Sequence, residues 1–351
     1  MSIDANLKLI GHLYSTRNLF SLLGLAGHND KLKFFGHIGK ALGVDAVLEG
    51  YIQRDGDRIR ATARLVNVRD GSQLWAGRFD DSFTNVFSVQ DSISAQVAHS
   101  LSPALVSDEK QALTKRHTAN TEAYLEYLKG RHFWNKRTAE SLGSSIENFQ
   151  KAIELDPNYA LAYAGLADAY ALLVWNIGPV NPELINKART AARKALELDF
   201  TLAEAHTSLA FTRCWYEWDW QGAESEFKKA IELNPNYATA HHWYGEFLVL
   251  MGRFEEGFRE LRFAQEIDPL SLIINSDIGK MHFLARRPEQ AIDQLLKTTE
   301  MDPNFPISHL FLAMAYRQKG MYEEAFKELE KEGQISEGRT IFPAVLGYCY
   351  A

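Results

Sequence analysis

Eleven histidines and two cysteines are the residues of this 351-residue chain with the types for metal or nucleophilic chemistry, and their spacing supports neither. His241 and His242 are adjacent, so on a helix they point in different directions, and no His-Glu-x-x-His or spaced Cys/His set occurs. Cys214 and Cys349 stand apart and read as small buried apolar residues. Gly24-Leu-Ala-Gly27 lacks the lysine of a phosphate loop, and neither a kinase set nor a nucleophile elbow is present. Glu255-Glu256 and Glu323-Glu324 read as solvated helix starts, where the helix dipole favours negative charge. Arg54, Arg58, Arg60, Arg64 and Arg69 could meet phosphate or acidic protein; a solvated strand face is the expected role. The run Trp215-Tyr-Glu-Trp-Asp-Trp220 could cage a cation, but it is expected to plug a turn. The expectation is no catalytic residue, no cofactor and no metal, hence no enzyme.

The remaining composition narrows the class. Apolar content of 46% is that of a globular protein, and a net charge of −7 disfavours nucleic acid as a partner. No run reaches the length of a membrane span, and the first residues lack a secretory signal, so the default location is cytoplasmic.

What must position any working residue is a repeat. Glu154-Leu-Asp-Pro-Asn158 returns as Glu197-Leu-Asp-Phe200, Glu232-Leu-Asn-Pro-Asn236, Glu266-Ile-Asp-Pro269 and Glu300-Met-Asp-Pro-Asn304. The residue before each Pro (or Phe200) advances by 43, 35, 34 and 34. A 34-residue period ending on a helix-stopping Pro is that of stacked helix pairs. Helix A of each pair carries large apolar residues four apart with a small one after the first, as in Trp243, Tyr244-Gly245 and Leu248. Helix B carries Gly257, Leu261 and Ala264 on one face. Gly252 and Gly320 fall where the chain must turn back. The sequence resembles the tetratricopeptide repeat family at these positions. Units are expected at about 120–159, 160–202, 203–237, 238–271, 272–305 and 306–339, with a partial seventh from Thr340. The second has about nine extra residues around Trp175-Asn-Ile-Gly-Pro-Val-Asn-Pro182, expected as a loop.

The first hundred residues read differently. Three strands are expected over 45–53, 57–68 and 73–79, with a hairpin at Asp55-Gly56 and Ile59, Ala61, Ala63 and Leu65 on one face. Helices are expected over 32–42 and 86–101, the latter with Val86, Val89, Ile93 and Val97 in one stripe. Gly43-Val-Asp-Ala-Val-Leu-Glu-Gly50, Arg58-Ile-Arg-Ala-Thr-Ala-Arg-Leu-Val66 and Gly71-Ser-Gln-Leu-Trp-Ala-Gly-Arg-Phe-Asp80 together resemble the TolB amino-terminal-like domain. In bacterial signalling proteins that resemblance implies such a domain ahead of tetratricopeptide repeats, commonly after a serine/threonine kinase, a nucleotide cyclase or a winged-helix domain. The opening strand-and-helix unit of that domain is not found, and both ends of the chain read as cut. The fold expected is mainly α: an α-α superhelix over 120–351, preceded by an incomplete α+β domain over 1–105 and a linker over 106–119.

The function expected is a protein-protein interaction scaffold. The A helices line the concave side of such an array, and a peptide or partner protein would lie there. By the family register the groove would be lined by Glu204, Thr207, Phe211 and Trp215, then Thr239, His242, Glu246, Val249 and Leu250, then Ile273, Ser276, Lys280, Phe283 and Leu284. Glu246 and Lys280 would project from neighbouring A helices as two groove charges. The alternative is the regulatory or sensory part of a kinase, cyclase or winged-helix regulator.

Overall fold

The computed structural model describes residues 45–55, 57–82, 117–176 and 181–336, with positions 89, 92, 93, 96, 97 and 100. Two compact units divide the chain, Met1–Thr121 and Glu122–Ala351.

In the first unit, β1 (Ala46–Asp55), β2 (Arg58–Asn67) and β3 (Gln73–Ser82) form an antiparallel sheet in chain order. Asp55 of the expected Asp55-Gly56 turn is the last residue of β1, where it pairs with Arg58, and Gly56 lies outside the described residues. Alternation holds along β2: Ile59, Ala61, Ala63 and Leu65 are buried. Helical Val89 and Ile93 pack on Ile59 and Ala61, and Val97 packs on Ala46 and Leu65. The expected helix over 32–42 and Val86 lie outside the described residues.

The second unit contains twelve α-helices among its described residues, in six antiparallel pairs. They are α1 (Thr121–Asn135) with α2 (Ala139–Leu155), α3 (Ala160–Asn176) with α4 (Pro182–Leu198), and α5 (Ala203–Thr212) with α6 (Trp220–Leu233). Then come α7 (Ala238–Leu250) with α8 (Phe254–Ile267), α9 (Leu272–Leu284) with α10 (Pro288–Met301), and α11 (Pro306–Gln318) with α12 (Tyr322–Ile335). The architecture is a superhelix of tetratricopeptide-type pairs.

Each recurring phrase ends a B helix by the same bonds. Asp156, Asp199, Asn234, Asp268 and Asp302 each close the last turn through the backbone N–H. In four of them the side-chain oxygen accepts from the N–H two residues on, at Asn158, Thr201, Asn236 and Asn304. In three of these the residue between is Pro, which has no N–H to leave unpaired; in the other it is Phe200. Helix A then meets helix B at small residues. A Cβ on Gly245 would sit 2.7 Å from Leu261 Cγ and 2.9 Å from the Gly257 carbonyl, so only hydrogen fits there.

The A-to-B turn is fixed by backbone, not by glycine. Trp218, Gly252, Arg286 and Gly320 stand 34 residues apart, and all have left-handed φ, between 57° and 78°. Arg137 takes the same conformation, φ 61°, in the turn between α1 and α2.

Part of the expected loop of the second pair is helix. Both α3 and α4 run to 17 residues where α7 has 13, and Pro182 is the first residue of α4, capped by Asn181. Pro is favourable there because its missing N–H has no helical partner. Residues 177–180, Cys349 and the expected seventh unit lie outside the described residues.

The core is segmented. One cluster of buried apolar side chains runs from Trp134 and Phe149 through Leu209 and Phe227 to Leu248, spanning four pairs. Separate clusters follow, around Leu261 and Met281, around Leu295 and Leu312, and around Ala325 and Leu329.

Candidate functional site

The A helices place the fourteen expected groove residues unequally. Thr207 and Phe211 on α5, His242, Glu246 and Val249 on α7, and Ser276 on α9 are buried. Glu204, Trp215, Thr239, Ile273, Lys280 and Phe283 are half-buried. Leu250 and Leu284, at the ends of α7 and α9, are 45% exposed. The buried six are engaged inside the array: the Ser276 hydroxyl lies 2.6 Å from that of Ser308, and the Phe211 ring packs tilted against Trp243 with centroids 4.5 Å apart.

Four of the fourteen belong to one charged cluster or border it. Lys280 Nζ lies 2.5 Å from Glu246 Oε1 and 2.6 Å from Asp277 Oδ1. His242 Nε2 lies 2.9 Å from Asp277 Oδ2, and Ser276 precedes Asp277 on α9. Glu246 and Lys280 are therefore not two independent groove charges; they are one ion pair across consecutive A helices. Burial pushes the Glu246 carboxyl up, and the neighbouring Asp277 adds to it. Burial acts the same way on Asp277, but Lys280 and His242 outweigh it and hold that carboxyl below the usual range. Burial disfavours the Lys280 ammonium, yet the two carboxylates more than offset this and raise its pKa.

Three metal-capable groups converge in the same place. Ligand atoms of His242, Glu246 and Asp277 lie within 4.8 Å of one another. The ammonium of Lys280 lies within ion-pair distance of both carboxylates and supplies one positive charge there. Sequence spacing hides this set, because its members sit on two helices, 31 residues apart from Glu246 to Asp277.

A second polar group lies at the end of α1. The guanidinium of Arg131 lies 3.6 Å from buried Asp168 on α3, whose other oxygen accepts from Ser208 at 2.5 Å. Burial pushes the Asp168 carboxyl up to about 6 against the pull of Arg131. Arg131 and Arg137 both lie over the indole of Trp134, at 4.1 Å and 3.5 Å from its centre. Trp134 is itself buried and approaches Trp243 of α7, with ring centroids 6.3 Å apart. The α1–α2 turn thus reaches across to the fourth pair.

A third feature repeats. His206 Nδ1 faces Glu226 at 2.6 Å and its Nε2 faces the Phe200 carbonyl at 3.0 Å. His241 meets Glu260 and the Pro235 carbonyl at 2.6 and 2.9 Å, and His309 meets Glu328 and the Pro303 carbonyl at 2.5 and 2.8 Å. Each latch ties helix A to helix B and to the preceding helix end. In the fifth pair Asn275 and Gln294 take the equivalent places and bond by amides. The signal was present as a His with a Glu 19 or 20 residues on, in register with the repeat. His241 and His242 do point apart, one to this latch and one to Asp277.

The aromatic run divides. Trp215 packs on Phe211 and Tyr216 donates to the Ala171 carbonyl at 2.5 Å, so these two do fill the turn. Trp218 and Trp220 do not; they are 72% and 46% exposed. A π-helical segment, Arg213–Glu217, lengthens the end of α5, and the left-handed backbone at Trp218 turns its ring outward. Of the arginines expected on this face, Arg58 and Arg60 pair with Asp80, Arg64 with Glu49, and Arg69 with Asp45; the Arg54 side chain lies outside the described residues.

Three segments match tetratricopeptide repeat family models, residues 140–174, 226–258 and 278–337. The chain carries tetratricopeptide repeats. It is 28% identical over 181 residues to a putative adenylate cyclase 3 of Rhizobium meliloti, covering 51% of this chain and 30% of that one. It is 27% identical over 168 residues to the transcriptional regulator HilA of Salmonella typhimurium, covering 48% and 30%. The chain thus spans under a third of either relative. A solved tetratricopeptide protein of Thermus thermophilus, TTC0263, is 18% identical with a TM-score of 0.46, covering 56% of this chain and 99% of that one. Repeats of this class generally bind protein or peptide partners. Among the described residues no helix is long and apolar enough to cross a membrane.

Proposed function

We propose that this chain is a non-catalytic scaffold that holds a peptide or partner protein against the A-helix face of its repeats. The observation that carries this is the placement of Leu250 and Leu284, exposed at equivalent positions of consecutive repeats, with half-buried Phe283 next to Leu284 and half-buried Ile273 at the other end of α9. A partner would bury those side chains, while Glu246, Asp277 and Lys280 already pair with one another within the array. A photo-reactive residue introduced at Ile273 or Leu284 should cross-link a partner in the native host, and one at Lys228 on a B helix should not. Equal cross-linking from both faces would defeat the proposal. Purified protein should turn over neither ATP nor ester substrates.

A second reading is favoured by the names of two relatives, a putative adenylate cyclase and a transcriptional regulator. In it the repeats and the small α+β unit, which resembles a TolB amino-terminal-like domain, form the regulatory part of a bacterial signalling protein. Reading the genomic DNA on both sides of the gene tests it: an in-frame kinase, cyclase or winged-helix segment supports this reading, and flanking stop codons count against it.

A further inference from the structure

The charges around Lys280 do not balance. Glu246 and Asp277 are each 5% exposed, and both rest on the one ammonium of Lys280. One buried negative charge is left over among the groups in contact. The other neighbour, His242, needs no charge to donate from Nε2 to Asp277. Arg137 feels both carboxylates only at a distance. Glu246 is the less well served of the two acids. Its Oε1 lies 2.5 Å from Lys280 Nζ but outside the angles of a hydrogen bond, and no other donor among the described residues reaches that atom.

The three donors are placed as metal ligands are. His242 and Glu246 stand four apart on α7, hence on one face, and Asp277 comes to them from α9. One ligand atom of each lies within 4.8 Å of the other two, and His242 Nε2 is 2.9 Å from Asp277 Oδ2. Donors bound at about 2.1 Å to a tetrahedral ion stand about 3.4 Å apart, so side-chain rotations suffice to close the set. A dication would match the two carboxylates charge for charge; a single ammonium does not. Lys280 has somewhere else to go. Its side chain is 22% exposed, and the Phe311 ring on α11, with its centre 5.8 Å from Nζ, offers the ammonium a second seat.

We propose that His242, Glu246 and Asp277 form a binding site for a divalent transition-metal ion of the Zn²⁺ type, which displaces the Lys280 ammonium and ties α7 to α9. The imidazole enters as a neutral ligand through Nε2, its proton moving to Nδ1, and both carboxylates enter ionised. The exchange brings in two positive charges and turns one outward. Three protein donors leave a further position open to water. The imidazole argues against Ca²⁺ and Mg²⁺, which take oxygen ligands.

The test takes the full chain, stripped with a chelator, and titrates it with zinc chloride by calorimetry and with cobalt chloride by visible absorption. Wild type should bind one Zn²⁺ saturably, and magnesium chloride should not compete. Glu246→Gln removes a ligand and also a buried charge, so it should stay folded and bind at least about tenfold more weakly. Lys280→Met removes the competing ammonium. It should bind at least about tenfold more tightly, and Zn²⁺ should raise its melting temperature by more than that of wild type. Zn²⁺ should leave the melt of the Lys280→Met, Glu246→Gln double variant unchanged. Where Lys280→Met alone does not fold, its refolding on added Zn²⁺ is the positive result and its failure to refold counts against the site; the comparison of wild type with Glu246→Gln still decides. No saturable Zn²⁺ binding by wild type overturns the proposal. So does binding that Glu246→Gln leaves unchanged, which would place the ion on other side chains.

Discussion

Lys280 on α9 holds Glu246 on α7 at 2.5 Å, a buried ion pair joining two successive repeats. Because the same ammonium also neutralises Asp277, its removal would leave two buried carboxylates facing each other. Lys280→Met is expected to destabilise the protein by about 3–5 kcal/mol, and Lys280→Glu by at least as much. Adding Glu246→Gln to Lys280→Met should recover part of the loss, since one uncompensated charge is then gone. Urea denaturation of the three variants measures this; additive losses would show that the pair is not coupled.

Gly245 fits only as glycine. Any larger residue drives its Cβ into Leu261 and the Gly257 carbonyl. Gly245→Trp should cost about 2–5 kcal/mol through backbone displacement, and Ala264→Trp, on a fully buried helix B position, a similar amount. Thermal melts of each variant against wild type decide it.

Arg286 occupies the left-handed turn position that Gly252 and Gly320 fill one repeat either side. It is exposed, so little packing is lost on truncation. Arg286→Gly should stabilise the array by up to about 1 kcal/mol by removing the cost of an L side chain there. An unchanged or lower melting temperature would show that the arginine contributes contacts that offset its strain.

The histidine latches set a pH dependence. A neutral imidazole has one N–H and cannot donate to both the carboxylate and the carbonyl that face it; the imidazolium can. For His206 and His309 burial opposes the charge, but the bonds to Glu226 and Glu328 and to the backbone carbonyls outweigh it and raise the pKa above 6.5. Lys229 and Lys331 oppose that rise without cancelling it. A raised folded pKa means this stability is complete below 6.5 and is lost as pH rises through the folded value. The lowered pKa of Glu328 extends the latch on the acid side, lost only as pH falls below 4.5 and through its folded value. Melting temperatures measured from pH 6 to 9 should fall. The double substitution His309→Asn with Glu328→Gln, copying the amide pair of the fifth repeat, should flatten part of that slope.

Much of this architecture is legible in the residues. The Asp-Pro phrase marks helix ends because its side-chain and backbone bonds are local, and the alternation at Ile59 to Leu65 marks a half-buried strand for the same reason. The site is less legible. Thr207, His242, Glu246 and Ser276 fall in the family's groove register, but the register says nothing of what covers them; the curvature that brings Trp134 against Trp243 is a sum over several helix pairs. The His-Glu latches were readable only by comparing repeats with one another. The Lys280 cluster needs two helices to exist at all. Trp218 misleads because its packing is decided by a π-helical turn that no local propensity announces.

The breaks in the hydrophobic core bear on how this chain comes apart. A single apolar cluster runs through four helix pairs, so those pairs share their burial and none can open without exposing the others. Beyond Leu248 the clusters are smaller and bridge neighbours: one joins the fourth pair to the fifth, one joins the fifth to the sixth, and one lies within the sixth. Amide protons of α9 to α12 should therefore exchange through partial openings, while those of α3 to α7 should exchange only when the larger block unfolds as a body. The described array is expected to unfold as one cooperative block followed by a tail that opens stepwise, and a partner gripping both would weld the tail to the block.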